Sequence, residues 1–242
     1  MFNNIPPITR NIIIINIVVF IISYLIYPQL YNTLSAYYPL SPNFKSWQII
    51  THMFMHGGFM HILFNMLTLW SFGPVLEQTL GEKKYLILYF VSGLGAFVLF
   101  NLWNFYEIQQ ITTQLVEAKV NVAEIYMKAD INNFPYDVYA NSSNELSKEL
   151  YYGLVSKMLG ASGAVFGVVA AFATLYPDTK LIFMFIPFPI KAKYILPIII
   201  IASVYLGFSG NVGGIAHFAH VGGALVGFLL ARSWKKHLYR FH

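Results

Sequence analysis

The chain is predicted to be an all-α polytopic membrane protein: a bundle of six transmembrane helices with an extra helical insertion between the third and the fourth. Three observations carry this. Of 242 residues, 57% are hydrophobic and only 10% are charged, whereas a soluble domain carries about 25% charged residues. So few charges cannot cover a water-facing surface. Six apolar runs, near 11–27, 59–76, 84–105, 160–176, 192–208 and 216–233, approach the roughly 20 residues that a bilayer core requires. The charges gather between these runs, with lysine and arginine concentrated at alternate ends. The predicted organisation is one membrane domain over 1–242, with 106–158 as an extramembrane insertion.

The first run contains Asn11-Ile12-Ile13-Ile14-Ile15 and lacks a small-residue cleavage site after it, so a retained helix is expected, not a signal peptide. The second opens on His61-Ile62-Leu63-Phe64-Asn65. His61 and Asn65, four apart, share one helix face. If six runs span, the N-terminus, the loops after spans 2 and 4 and the C-terminus lie on one side. That side holds ten basic residues, Arg10, Lys83, Lys84, Lys180, Lys191, Lys193, Arg232, Lys235, Lys236 and Arg240, against three acids; the other holds five against seven. The positive-inside bias then places both termini in the cytoplasm. The pI near 9.2 does not indicate nucleic acid, because the positive charges flank apolar spans and form no stripe. With no cysteine, disulfides and thiolate metal sites are excluded.

Between spans 3 and 4 the apolar residues recur as Ile108, Ile111, Leu115, Ala118, Val122, Ile125 and Ala129. That three-four spacing predicts one amphipathic helix with a narrow seam. Asn132, Asn133 and Pro135 end it, and Ser142-Ser143-Asn144-Glu145 reads as a capping box opening a second helix towards Met158. Two readings stand: a helical hairpin packing on itself, or an element that binds a partner or guards substrate access. That partner is unassigned.

Spans 4 and 6 carry the chemistry. Ser162 follows Gly160-Ala161 at the start of span 4, and His220 lies near the start of span 6. Glycines four apart, Gly163/Gly167 and Gly223/Gly227, let two membrane helices approach backbone to backbone. Both spans start on the outer side, so serine and histidine fall at one depth, as a nucleophile and its base require. Polar residues at membrane depth are costly and functional by default. His61 and Asn65 can donate to a developing oxyanion, or else act as interhelical glue. Ser162 alone can equally be a packing residue. His52, His56, His61, His217 and His220 also raise a metal or haem site. Against that, the outer ends of spans 2, 4 and 6 carry no carboxylate, the usual base or ligand of a zinc hydrolase.

Together, Gly160-Ala161-Ser162-Gly163, the run His56-Gly57-Gly58-Phe59-Met60-His61-Ile62-Leu63-Phe64-Asn65, and Ala219-His220-Val221-Gly222-Gly223 with Gly227 resemble the rhomboid intramembrane serine proteases of the minimal six-span bacterial type. The resemblance covers nearly all the chain outside 106–158. It implies a rhomboid-like bundle in the cell (inner) membrane, its active site opening to the outer side, with no cofactor and no metal. Ser162 would be the nucleophile and His220 its base. His61, Asn65 and the Ser162 N–H would form the oxyanion hole. Phe166, Gly160, Gly163, His217 and Gly223 would support the dyad. Phe166 stands where the family often has a tyrosine that stacks on the imidazole, and Trp47-Gln48 where it often has Trp-Arg. The implied partners are the lipid bilayer and transmembrane protein substrates, cleaved in or beside their membrane segments. Water would reach the dyad past His52, His56, Ser209, Asn211 and His217, with span 5 and the Gly207–Gly214 loop as gate and cap. The competing reading is a catalytically inactive binding factor on the same scaffold.

Overall fold

The computed structural model describes residues 5–139, 142–183, 186–208 and 214–238. It is mostly helical. Helix α1 (Pro7–Ile21) starts on Pro7, whose fixed φ suits a first turn, and runs on as a π-helical turn, Ile22–Ile26. Short helices α2 (Leu30–Leu34) and α3 (Gln48–Thr51) punctuate the following loop. Helix α4 (Phe59–Leu80) leads through Gly81, at φ 78°, directly into α5 (Glu82–Glu117). Then come α6 (Val122–Lys128), α7 (Glu145–Val155), α8 (Ser162–Leu175), the antiparallel strands β1 (Lys180–Phe183) and β2 (Ile186–Lys191), α9 (Ala192–Phe208) and α10 (Gly214–Leu238).

Three helical stretches, Pro7–Ile26, Phe59–Leu80 and Glu82–Glu117, are long and apolar enough to cross a membrane. The predicted spans 4 to 6 fall on α8, α9 and α10. At 14 residues α8 is short, about 21 Å at 1.5 Å per residue. It packs against α4, α5, α9 and α10, and most of its residues are buried. A helix enclosed by protein on all sides is released from matching the bilayer thickness. The main core joins Ile12, Leu69, Leu88, Val168 and Ala231, while Ile14, Val18, Trp70, Leu102, Ile201 and Leu229 face outward.

Close approach is built from small residues. A Cβ on Gly223 would overlap the Gly163 carbonyl, and one on Gly227 the Gly167 carbonyl, so α8 and α10 pack through the two glycine pairs that the spacing predicts. A second glycine contact was not foreseen: on the other face of α10, a Cβ on Gly222 would meet the Gly95 carbonyl oxygen of α5 at 2.5 Å. At the start of α1, the Glu77 carboxylate of α4 accepts from the Ile8 N–H (2.8 Å), the Thr9 N–H (2.7 Å) and the Thr9 hydroxyl (2.7 Å). It caps the otherwise unsatisfied N–H groups of the first turn.

The insertion differs from its expected form. No single helix runs from Ile108 to Ala129. Helix α5 continues unbroken from span 3 to Glu117, the chain turns at Lys119 (φ 57°), and α6 starts afresh, its Asn121 cap accepting from the Glu124 N–H. The seam nevertheless closes on one small core. Ile108, Leu115, Ile125 and Ala129 are buried there with Leu150, Tyr151 and Leu154 of α7, and Ile111 and Val122 pack against them; Ala118 is exposed at the break. Helix α7 is capped by Asn144, which accepts from the Ser147 N–H, and not by a Ser142 box; it stops at Val155, short of Met158. The all-α expectation also missed the β1–β2 hairpin, with Lys180 opposite Lys191 and Leu181 opposite Ile190.

The insertion is tied to the loop after α1. Ala36 and Met158 exchange backbone hydrogen bonds of 2.9 and 2.7 Å. The Ser41 hydroxyl donates to the Leu154 carbonyl, and Asn43 donates to the Ala129 carbonyl while accepting from the Ile131 N–H.

Candidate active site

Ser162 is the first residue of α8, where the opening N–H groups lack intrahelical acceptors. Gly160 sets the entry. Its φ of 120° is a left-handed conformation that glycine adopts without strain. Its N–H donates to the His52 carbonyl at 2.9 Å. A side chain there has no room, since a Cβ would stand 2.8 Å from the His61 ring and 3.5 Å from Ser162 Oγ. The imidazole and the hydroxyl thus flank one point.

From α10, His220 brings Nε2 to 3.0 Å from Ser162 Oγ, a hydrogen-bonding distance. Phe166, one turn along α8, lies flat on that imidazole, with centroids 4.1 Å apart and planes 2° from parallel. The stacking expected at position 166 is thus present, on a ring without a hydroxyl. His217 meets His220 edge-on at 6.1 Å and 83°.

A cavity of about 420 Å³ opens over the pair. Met60, His61, Phe64, Asn65, Thr68 and Phe72 of α4 form one wall, and Ile195 is contributed by α9. No carboxylate is among its described lining residues. The Gly57 N–H donates to His61 Nδ1 at 3.3 Å. That bond selects the tautomer with its proton on Nε2, the nitrogen nearer Gly160. Asn65 donates one amide proton to the His61 carbonyl at 2.9 Å, which leaves the second for the cavity.

The other histidines have different places. His52 and His56 are buried and are not among the described residues that line the cavity. His52 donates from Nδ1 to the Gln48 carbonyl at 2.8 Å. Burial lowers its imidazole to about 4. Burial, then the neighbouring His61, does the same to His56, so both are neutral at pH 7. Ser209, Asn211 and Arg240 lie outside the described residues. Two contributors had no signal of their own: Ile195 as a wall, and Gln48 as the centre of the loop after α1. The buried Gln48 amide accepts from the Tyr37 and Lys45 N–H groups and donates to the Thr33 and Asn43 carbonyls.

A sequence model of the rhomboid domain matches residues 43–115 and 120–235. The chain belongs to the rhomboid family. Among its rhomboid relatives, the mitochondrial Rhomboid protein 1 of Saccharomyces cerevisiae is 28% identical over 244 residues, covering 95% of this chain and 56% of that protein. Rhomboid protease AarA of Providencia stuartii is 27% identical over 197 residues, covering 80% and 58%. Rhomboid protease GlpG of Klebsiella pneumoniae is 37% identical over a shorter stretch of 93 residues, 38% of this chain and 34% of that protein. The chain thus spans little more than half the length of the first two. Rhomboid membership and the three long apolar helices make it an integral membrane protein.

Proposed function

We propose that this rhomboid is an intramembrane serine endopeptidase that cleaves transmembrane segments of membrane proteins with a Ser162–His220 dyad. The observation that carries the reading is the 3.0 Å approach of His220 Nε2 to Ser162 Oγ at the floor of the cavity. The protease names of its relatives agree with it. As Ser162 Oγ attacks the scissile carbonyl, His220 Nε2 takes its proton. The negative carbonyl oxygen is met by the Ser162 N–H at the positive end of α8, by His61 Nε2–H and by the free Asn65 amide proton. The protonated His220 then gives the proton to the departing amine. Water, deprotonated by the same nitrogen, releases the acyl group and restores the serine. Phe166 holds the imidazole plane throughout, in place of a third polar residue.

Substrate enters from the bilayer. Helical backbone in lipid is fully hydrogen-bonded, so a segment must unwind to offer a carbonyl to Ser162. The α4 and α9 walls of the cavity are the natural sides for that entry. In this reading α1, α4, α5, α8, α9 and α10 are six spans, and both termini lie in the cytoplasm of a cell whose inner membrane holds the protein. The dyad faces the outer side. Because the chain has no cysteine, single cysteines at either end of the bundle report that orientation directly through a membrane-impermeant maleimide.

A serine-directed fluorophosphonate and a model transmembrane substrate in liposomes test the chemistry. Wild type should label and cleave, whereas Ser162→Ala should do neither and His220→Ala should lose cleavage while staying folded. The two losses should not add in the double variant. Wild-type cleavage in either single variant sinks the dyad. An unlabelled, inactive wild type points to the binding-factor reading.

A further inference from the structure

Lys157, five residues before Ser162, is an unusual cation. Its Nζ lies 4.7 Å from the centroid of the Tyr31 ring and 6.0 Å from those of Tyr37 and Tyr136. It donates to Asn32 Oδ1 at 2.6 Å. Among the described residues it has no carboxylate partner. Half-buried, it exchanges part of its hydration for three aromatic faces and an amide oxygen, and cation–π attraction strengthens as water is excluded.

The cage joins three parts of the chain. Tyr31, Asn32 and Tyr37 come from the loop after α1, Tyr136 from the insertion, and Lys157 from the segment that leads to Ser162. The next residues of that segment are also held: Met158 by its paired backbone bonds to Ala36, and Gly160 by its N–H bond to the His52 carbonyl. His52 is in turn tied to Gln48. From Lys157 to Gly160 the approach to Ser162 therefore leans on the loop after α1, with the caged ammonium at its first point.

We infer that Lys157 is a positioning residue for Ser162, and that the loop after α1 and the insertion form a lock that sets the rate of serine attack. The inference rests on the reading of Ser162 as nucleophile. A 3.0 Å hydrogen bond tolerates little drift, and a misplacement of about 1 Å lowers turnover by roughly 10²-fold. Lys157→Met removes the charge and keeps most of the alkyl length. Lys157→Arg keeps the charge and stacks on aromatic rings. Tyr136→Leu removes one half-exposed wall of the cage and serves if Lys157→Met fails to fold.

The test combines three measurements: steady-state cleavage of a model transmembrane substrate, the rate of Ser162 labelling by a fluorophosphonate, and hydrogen exchange at the Met158 and Gly160 amides, which needs no activity. Lys157→Met should lower kcat and labelling by about 10- to 10²-fold. KM should hold within about twofold, because substrate contacts are untouched. Exchange at both amides should speed up while the melting temperature stays near wild type. Lys157→Arg should restore both the rate and the protection, and Tyr136→Leu should fall between them. A folded Lys157→Met or Tyr136→Leu with wild-type kcat overturns the proposal, whatever its exchange. So does a rate that Lys157→Arg fails to restore. If wild type does not label at Ser162 although exchange responds to Lys157→Met as stated, the serine-protease reading has failed, and with it the rate-setting role, while the mechanical lock stands.

Discussion

Replacing Gly223 by alanine tests the spacing of the two helices that carry the proposed dyad. A Cβ there would stand 2.7 Å from the Gly163 carbonyl carbon and 3.2 Å from its Cα, and nearer still to the carbonyl oxygen. These are backbone atoms, so no rotamer change relieves the overlap. Ordinary carbon–carbon contact is about 3.5–4.0 Å, so α8 and α10 must part by roughly an ångström. Gly163 adjoins Ser162, and His220 is one turn before Gly223, so the separation is felt fully at the dyad. Stretching a 3.0 Å bond towards about 4 Å abolishes it. The expected loss is at least about 10²-fold in kcat, together with about 1–3 kcal/mol of stability from overpacking. Labelling by a fluorophosphonate, cleavage of a model substrate and thermal melting in the same detergent separate the two effects. Gly58→Ala is the neutral control, since nothing lies within 4 Å of a Cβ there and its backbone is extended at φ 166°. Gly95→Ala meets the end of the Val226 side chain on the other face of α10, and should cost stability with a smaller loss of rate. A folded Gly223→Ala protein that labels at the wild-type rate would refute the claim that this contact sets the serine–histidine distance.

Removing one proposed oxyanion donor, by His61→Ala or Asn65→Ala, should lower kcat by roughly 10²–10³-fold with less change in KM; an unchanged turnover per folded molecule would mark these side chains as packing glue. Phe166→Tyr should retain most activity, whereas Phe166→Ala, losing the parallel ring over His220, should lower kcat more than it raises KM in steady-state cleavage. Glu77→Ala should destabilise the protein by about 3 kcal/mol or more in reversible unfolding, because three hydrogen bonds to a buried carboxylate are lost and hydrogen bonds to charged groups are worth about 1.5–3 kcal/mol each. With the imidazoles of His52 and His56 held down at about 4 from an ordinary 6.5, the folded state resists their protonation. Their contribution to stability is present above about pH 6.5 and lost as pH falls towards 4, so melting temperature should drop across that window, and less steeply in His52→Gln.

The meeting of Ser162 with His220 was legible because its signals are scarce where they occur. A serine and a histidine in apolar runs stand out against their surroundings, and glycines four apart specify how closely the helices approach. The insertion was half legible, for a physical reason. Ile108, Ile111 and Leu115 on α5 and Val122, Ile125 and Ala129 on α6 feed one core, so the three-four spacing runs on across the break. The turn at Lys119 carries no glycine or proline to mark it; Asn121, a residue that favours caps, was the one visible cue. The β1–β2 hairpin hid for a different reason. Pro187 and Pro189 lack the N–H that a ladder needs, and the stretch read as an interspan loop.

What periodicity cannot carry is the irregular layer around Ser162. Gln48 is buried and makes four hydrogen bonds, yet its partners, Thr33, Tyr37, Asn43 and Lys45, follow no helical or strand spacing. Lys157 reads as one more solvated charge before a motif, and only the fold brings Tyr31 and Tyr136 to it from two separate places earlier in the sequence. Both cases have the same cause. In a membrane helix the backbone satisfies itself, so a polar side chain stands out by its type alone. Outside the helices the backbone needs side chains to satisfy it, and there a polar residue is ordinary until its partners are known. The proposed dyad and the glycine contact that spaces its two helices therefore belong to the legible part of this chain, while the side chains that tie down the approach to Ser162 are drawn from the other part. If so, loop substitutions such as Gln48→Ala, some way from the reacting atoms, should change kcat as much as Phe166→Ala does and leave KM alone.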